Sequence, residues 1–156
     1  EELTDSVIEN LQGLIDENKV VISKDFKHAW NVHGNEVRLK QILENLISNG
    51  IKYACDDQEI SSVTVITKTT DKSFFITVKD NGIGIPTDKR ADVFSMFQRF
   101  HPTQSAGSGL GLYLVKELCE ANHAEIRYHD KKGSGACFEI LFARDFANNQ
   151  NLKFDV

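Results

Sequence analysis

Hydrophobic positions along this chain change period several times, and each change marks an element. Between Thr4 and Glu17, Val7, Ile8, Leu11, Leu14 and Ile15 recur at three- and four-residue spacing. This is the stripe of an amphipathic helix, with Thr4 or Asp5 as its N-cap. "VVISKDF" (20–26) reads as a strand, and "AWNV" (29–32) as a short partner for it. The longest helical pattern runs from Asn35 to Ala54, where Leu39, Ile42, Leu43, Leu46, Ile47 and Gly50 share one face. "SSVTVITKTT" (61–70) and "SFFITVKD" (73–80) alternate at period two and predict two strands turning at Asp71-Lys72. A helix over 110–121 follows, then a closing hairpin of "AEIRYHD" (124–130) and "ACFEILFA" (136–143) around "KKGSG". Strands outnumber crossover helices, so the pattern predicts an α/β fold with a mixed sheet and helices on one face. Residues 1–145 form the expected domain, and 146–156 read as a frayed tail.

Three stretches depart from these periods. The strand at 73–80 ends in "DNGIGIP" (80–86). A tight hairpin needs only two residues of the Asn-Gly kind. The second glycine and the flanking isoleucines suit a backbone against which something flat must lie. Secondly, the helix at 35–54 carries Gln41, Asn45, Asn49, Lys52 and Tyr53 on an arc beside its apolar stripe. Asparagine competes for backbone hydrogen bonds and is a poor mid-helix residue, so two of them one turn apart suggest a task. Their amide oxygens suit a hard cation such as Mg²⁺, and Lys52 supplies positive charge for phosphate. Gly50, at a cost of roughly 0.5–1 kcal/mol against alanine, implies another backbone packed close to it. Thirdly, "GSGLGLYLVKEL" (107–118) leads a glycine run into a helix, where free N–H groups and the dipole favour phosphate. Its spacing is neither the dinucleotide fingerprint nor a Walker A loop. Between the glycine motifs lies "VFSMFQRF" (93–100), whose Phe94, Phe97 and Phe100 repeat in the manner of a core, with Arg99 in reach of a phosphate.

Composition narrows the picture. The chain has 156 residues, 40% hydrophobic and 26% charged, which suits one soluble domain with a real core. A formal net charge of −5 excludes nucleic-acid binding through bulk charge. Cys55, Cys119 and Cys137 are an odd set without metal-type spacing and read as reduced, cytoplasmic thiols. No apolar run has the length of a membrane span. The first residue is not Met and the chain opens in mid-pattern, which reads as a piece of a longer protein with room for an anchor elsewhere.

The order "NEVRLKQILENLISNGIKYA", "DNGIGIP", "VFSMFQRF", "GSGLGLYLVKEL" resembles the N, G1, F and G2 boxes of the ATP-binding catalytic domain of sensor histidine kinases. That domain belongs to the GHKL ATPase superfamily. The resemblance covers nearly the whole chain and implies the Bergerat fold, a two-layer α/β sandwich. It implies that Asp80 reads the adenine amine, that Gly82 and Gly84 admit the base, and that Ile83 and Ile85 give it apolar surroundings. It further implies Asn45 as Mg²⁺ ligand, Asn49 facing nucleotide and metal, and Lys52 and Tyr53 at phosphate and ribose or base. Phe97 and Arg99 belong to the F box, with Arg99 aimed at the γ-phosphate. Gly107, Gly109, Leu110, Gly111 and Leu112 belong to the G2 box at the helix start. Residues 95–108 would form the ATP lid. The implied partners are a dimerisation and phosphoacceptor domain outside this chain and a response regulator downstream, with the fragment itself a monomer.

Departures from the pattern are informative. Gly50 stands where alanine is commoner, the lid is short, and "NHAEI" (122–126) lacks the paired glycines usual there. Superfamily hydrolases place a glutamate one turn before the first asparagine as general base. Gln41 cannot act as that base, which favours a kinase over a dedicated hydrolase. His28, His33, His101 and His123 lack a following acid. His129 precedes Asp130, but at a strand end beside a turn, the wrong setting for a phosphoacceptor. Two other readings stay open: a stand-alone GHKL serine kinase of the anti-sigma-factor type, and a nucleotide-binding regulatory module without phosphotransfer.

Overall fold

The computed structural model describes residues 1–32, 34–55, 59–98, 100, 108–130 and 135–144. The period-two stretches form β2 (Ser62–Thr69) and β3 (Ser73–Asp80), and in each the alternate residues are buried. Val63, Val65 and Thr67 of β2 stand opposite Asp80, Val78 and Ile76 of β3. Across β3, Val78, Ile76 and Phe74 meet Phe138, Ile140 and Phe142 of β5 (Cys137–Ala143). One face of the sheet is therefore apolar, and Asp80 ends its buried row as a carboxylate. With β1 (Val21–Lys27) and β4 (Ala124–Tyr128) the sheet order is β1-β2-β3-β5-β4. The β1–β2 pair is parallel and the other three are antiparallel, the mixed sheet expected from the sequence.

Helix α3 (Glu36–Lys52) covers the apolar face, with Asn35 as N-cap accepting from the Arg38 N–H at 3.0 Å. Its stripe of Leu39, Ile42, Leu43, Leu46, Ile47 and Ile51 is buried, each side chain contributing about 1.5–3 kcal/mol. Helix α4 (Gly111–Glu120) packs beside it and inserts Val115 and Cys119, both with no exposed surface. Asn122 and Arg38 tie these two helices at one end: Arg38 Nη1 donates to the Ala121 carbonyl at 2.9 Å, and the Asn35 N–H to Asn122 Oδ1 at 3.3 Å.

Two expected elements differ. The first helical pattern is broken into α1 (Glu2–Asn10) and α2 (Gln12–Asn18), with Leu11 at φ −95° and ψ 2° between them. Asn10 and Gly13 flank the break and are weak helix formers. Residues 29–32 are not a strand. The Ala29 N–H is taken by Thr69 Oγ1 at 2.9 Å and Trp30 Nε1 donates to the Thr70 carbonyl at 3.3 Å, so side chains replace a ladder. The expected tail and the "KKGS" part of the closing turn lie outside the described residues.

Candidate functional site

Where the helix layer ends, at the last turn of α3 and the first of α4, the sheet is left partly uncovered. A cleft opens there in two joined compartments that share Asn49, Tyr53, Phe100 and Leu112. The inner compartment is apolar, walled by Gly84, Ile85, Ala136 and Phe138, with Asp80 as its carboxylate. The outer compartment is polar, lined on one side by Asn45, Ser48 and Lys52 and on the other by Ser108, Gly109 and Gly111.

Asp80 and Asn81 have separate tasks. Asp80 Oδ1 accepts from the Gly82 N–H at 2.9 Å and from the Ala136 N–H at 3.0 Å. Asn81 turns away and fastens the start of β2, accepting from the Ser62 N–H and donating to the Ile60 carbonyl, both at 2.8 Å. The strand thus ends in an acid that faces the cleft and an amide that locks its neighbour. Behind Asp80, Tyr128 packs on Phe138 at 5.5 Å between ring centroids, and Phe94 meets the same ring at 6.1 Å. Burial pushes the Tyr128 phenol above its ordinary pKa, Arg90 pulls it down, and the charges of Asp130 and Asp80 raise it further. Arg90 also donates to the Ile85 carbonyl at 3.0 Å and pairs with Asp130, which holds the Ile85 wall to the end of β4.

Asn45 is oriented by its own helix. Its Nδ2 donates to the Gln41 carbonyl at 2.9 Å, and a carbonyl only accepts, so Oδ1 is directed elsewhere. It points to α4: a Cβ built on Gly111 would lie 3.2 Å from Asn45 Oδ1 and 3.9 Å from Asn49 Nδ2. Among the described residues no side chain caps the N-terminal N–H groups of α4, which lie beside these amides. This donor set fits Mg²⁺, a hard ion that takes one or two protein oxygens and leaves the rest to water and phosphate. Among the described residues no cluster of His, Cys, Asp or Glu offers an all-protein metal cage.

Of the residues singled out in the sequence, Asn45, Asn49, Lys52, Tyr53, Asp80, Gly84, Ile85, Gly109, Gly111 and Leu112 line this one cleft. Gly82, Ile83, Phe97 and Leu110 do not. At Gly82 the crowding group is the chain's own backbone: a Cβ would stand 2.1 Å from the Tyr53 carbonyl oxygen. Phe97 breaks the expected core repeat. It is 68% exposed at φ +61°, while Phe94 and Phe100 pack on the core. Its backbone meets Gly109, at φ +72°, where a Cβ would be 2.7 Å from the Phe97 carbonyl carbon. Gly50 is crowded by a side chain and not by another backbone: a Cβ there would lie 2.8 Å from Val63 Cγ2. Gln41 is exposed and lies off the cleft lining. Arg99, Gly107 and His101 are outside the described residues. Ala136, Phe138 and Ser48 also line the cleft, and the sequence pattern does not single them out; for Ala136 the small residues of "GSGA" before a strand were the available sign.

The sequence matches the family described as histidine kinase-, DNA gyrase B- and HSP90-like ATPase over residues 34–145. The chain belongs to this ATPase family. Relatives within it are sensor kinases. PilS of Pseudomonas aeruginosa is 39% identical over 108 residues, 68% of this chain and 20% of that protein. PhoQ of Escherichia coli is 30% identical over 142 residues, 91% of this chain and 28% of that protein. The chain therefore spans a fifth to under a third of these relatives' lengths. Among solved structures, full-length ShkA in complex with AMPPNP superposes with a TM-score of 0.75 at 27% identity, over 90% of this chain and 29% of that one. The mycobacterial sensor histidine kinase MprB gives 0.72 at 23% identity over 91% of this chain and 93% of that one, a likeness of fold. This ATPase domain is thus of the histidine-kinase type, and no helix among its described residues is long and apolar enough to cross a membrane.

Proposed function

We propose that the chain binds Mg-ATP with adenine in the inner compartment against Asp80 and the phosphates in the outer one, and donates the γ-phosphate to a histidine on a dimerisation domain outside these residues. The observation that supports this is the division of one cleft into an apolar end with one carboxylate and a polar end with amides, Lys52 and a helix N-terminus. Adenine presents an amine to an acceptor, and phosphate seeks cations and free N–H groups. Asn45 would hold Mg²⁺ through Oδ1, and the ion would supply charge neutralisation on the phosphates. Asn49 and Tyr53, at the junction, would meet the ribose. Arg99 would reach the γ-phosphate from the F box.

Phosphoryl transfer is mainly positioning and charge stabilisation. Gln41 provides no base for water, so ATP should persist until an acceptor is in line. His129 has its Nε2 3.2 Å from Glu139 Oε1 at the end of β4, which supports a reading in which the acceptor lies elsewhere. The sensor-kinase relatives favour a histidine acceptor and a response regulator downstream over a serine substrate. The test is labelling with radioactive γ-phosphate. The 156 residues alone should bind ATP, hydrolyse it slowly and stay unlabelled, while a longer chain with the upstream helical hairpin gains acid-labile label. Stoichiometric label on the fragment would overturn the reading.

A further inference from the structure

Gly135 and Ala136, where the sequence pattern presents the end of an ordinary hairpin turn, sit beside Asp80 at the apolar end of the cleft. Ala136 grips Asp80 twice. Its N–H donates to Asp80 Oδ1 at 3.0 Å, and its carbonyl accepts from the Asp80 N–H at 3.0 Å. Gly135 precedes it at φ +98°. A Cβ there would lie 2.1 Å from the Asp80 carbonyl oxygen and 2.9 Å from Asn81 Cα. Both the left-handed backbone and the contact require glycine. Gly135 in turn abuts the opening loop, since a Cβ on Gly84 would lie 2.9 Å from its carbonyl oxygen.

We propose that Gly135 and the Ala136 N–H are a positioning element that orients the Asp80 carboxylate and so sets discrimination between adenine and guanine. This rests on Asp80 reading the base. The Gly82 N–H makes a local bond two residues away, which by itself does not fix the plane of the carboxylate. The Ala136 bond comes from a segment 56 residues along the chain and fixes the second direction. Fixing matters because the two purines differ at this edge. Adenine offers an amine that donates to carboxylate. Guanine offers a carbonyl oxygen, which a fixed carboxylate repels and a swinging one can avoid.

The experiment is calorimetric titration of Mg-ATP and Mg-GTP into the wild-type chain, Gly135→Ala and Asp80→Asn. Gly135→Ala should weaken ATP about tenfold and GTP much less, so that the ATP preference narrows. Equal weakening of both nucleotides would mark Gly135 as merely structural and overturn the proposal while leaving Asp80 as base reader, provided that Asp80→Asn loses ATP. Unchanged ATP affinity in Asp80→Asn would remove the base-reading assignment itself. A second measurement needs no variant. On acidification the amide nitrogens of Gly82 and Ala136 in the wild-type chain should shift together, following one carboxylate. An Ala136 amide that ignores the titration felt by Gly82 overturns the proposal even where Gly135→Ala does not fold.

Discussion

The Ile83 N–H donates to the Tyr53 carbonyl at 3.0 Å, tying the end of α3 to the loop after β3. This bond joins the asparagine-bearing helix to the first glycine motif of the cleft, and Gly82 stands at the point of contact. Gly82→Ala would drive a Cβ into the Tyr53 carbonyl. The backbone must move, and overpacking of this kind costs about 1–3 kcal/mol. Urea unfolding should show a lower midpoint, and nucleotide affinity should fall with it. An unchanged midpoint would mean that the junction is loose.

Asp80→Asn keeps an oxygen for the Gly82 and Ala136 N–H groups but removes the charge and places an amide against the adenine amine. Loss of a charged acceptor in a desolvated compartment should weaken ATP binding by about 2–3 kcal/mol, tens- to a hundredfold. Calorimetry of wild type and variant decides it, and matching affinities would refute the assignment.

Gly50 offers a packing test between α3 and β2. Gly50→Ala should destabilise the fold despite alanine's better helix propensity, because its Cβ meets Val63 Cγ2. Val63→Ala, which empties that space, should cost less in the Gly50→Ala background than alone. A coupling of about 0.5 kcal/mol or more in the double-mutant cycle is expected, and simple additivity would contradict the contact.

Cys119 gives a pH dependence. Burial foremost, with Glu120 nearby, pushes its thiol from 9.0 up to about 12. Below pH 9 the thiol is neutral in both folded and unfolded chains and contributes no change. Above pH 9 the unfolded chain loses the proton and the folded chain keeps it until about 12, so stability falls as pH rises through that window. The slope is at most about 1.4 kcal/mol per pH unit. Cys119→Val lacks this group, so the stability difference between it and wild type should drift in the variant's favour above pH 9. A constant difference would show that Cys119 does not titrate in this range.

Local periodicity determined most of the elements. A stripe at helical spacing gave α3, alternation gave β2 and β3, and both needed only residues two to four apart to be compared. The same holds for one flank of the cleft: Asn45, Asn49, Lys52 and Tyr53 are neighbours at the end of α3 whatever the rest does. The fold decided what faces them. Asp80 and Ala136 meet only because β3 and β5 pair at one register, and Gly111 meets Asn45 only because α4 packs beside α3. Tertiary packing also changed the meaning of single residues. By sequence, Gly82 and Gly50 leave space for a base and for a backbone; in the fold that space is limited by the Tyr53 carbonyl and the Val63 side chain. Spacing alone puts Phe97 in the core with Phe94 and Phe100, yet a left-handed backbone turns it outward. The physical reason is common to all of these. A pattern along the chain records which side of an element is apolar, whereas contact between distant segments depends on register and helix packing, which no single segment carries.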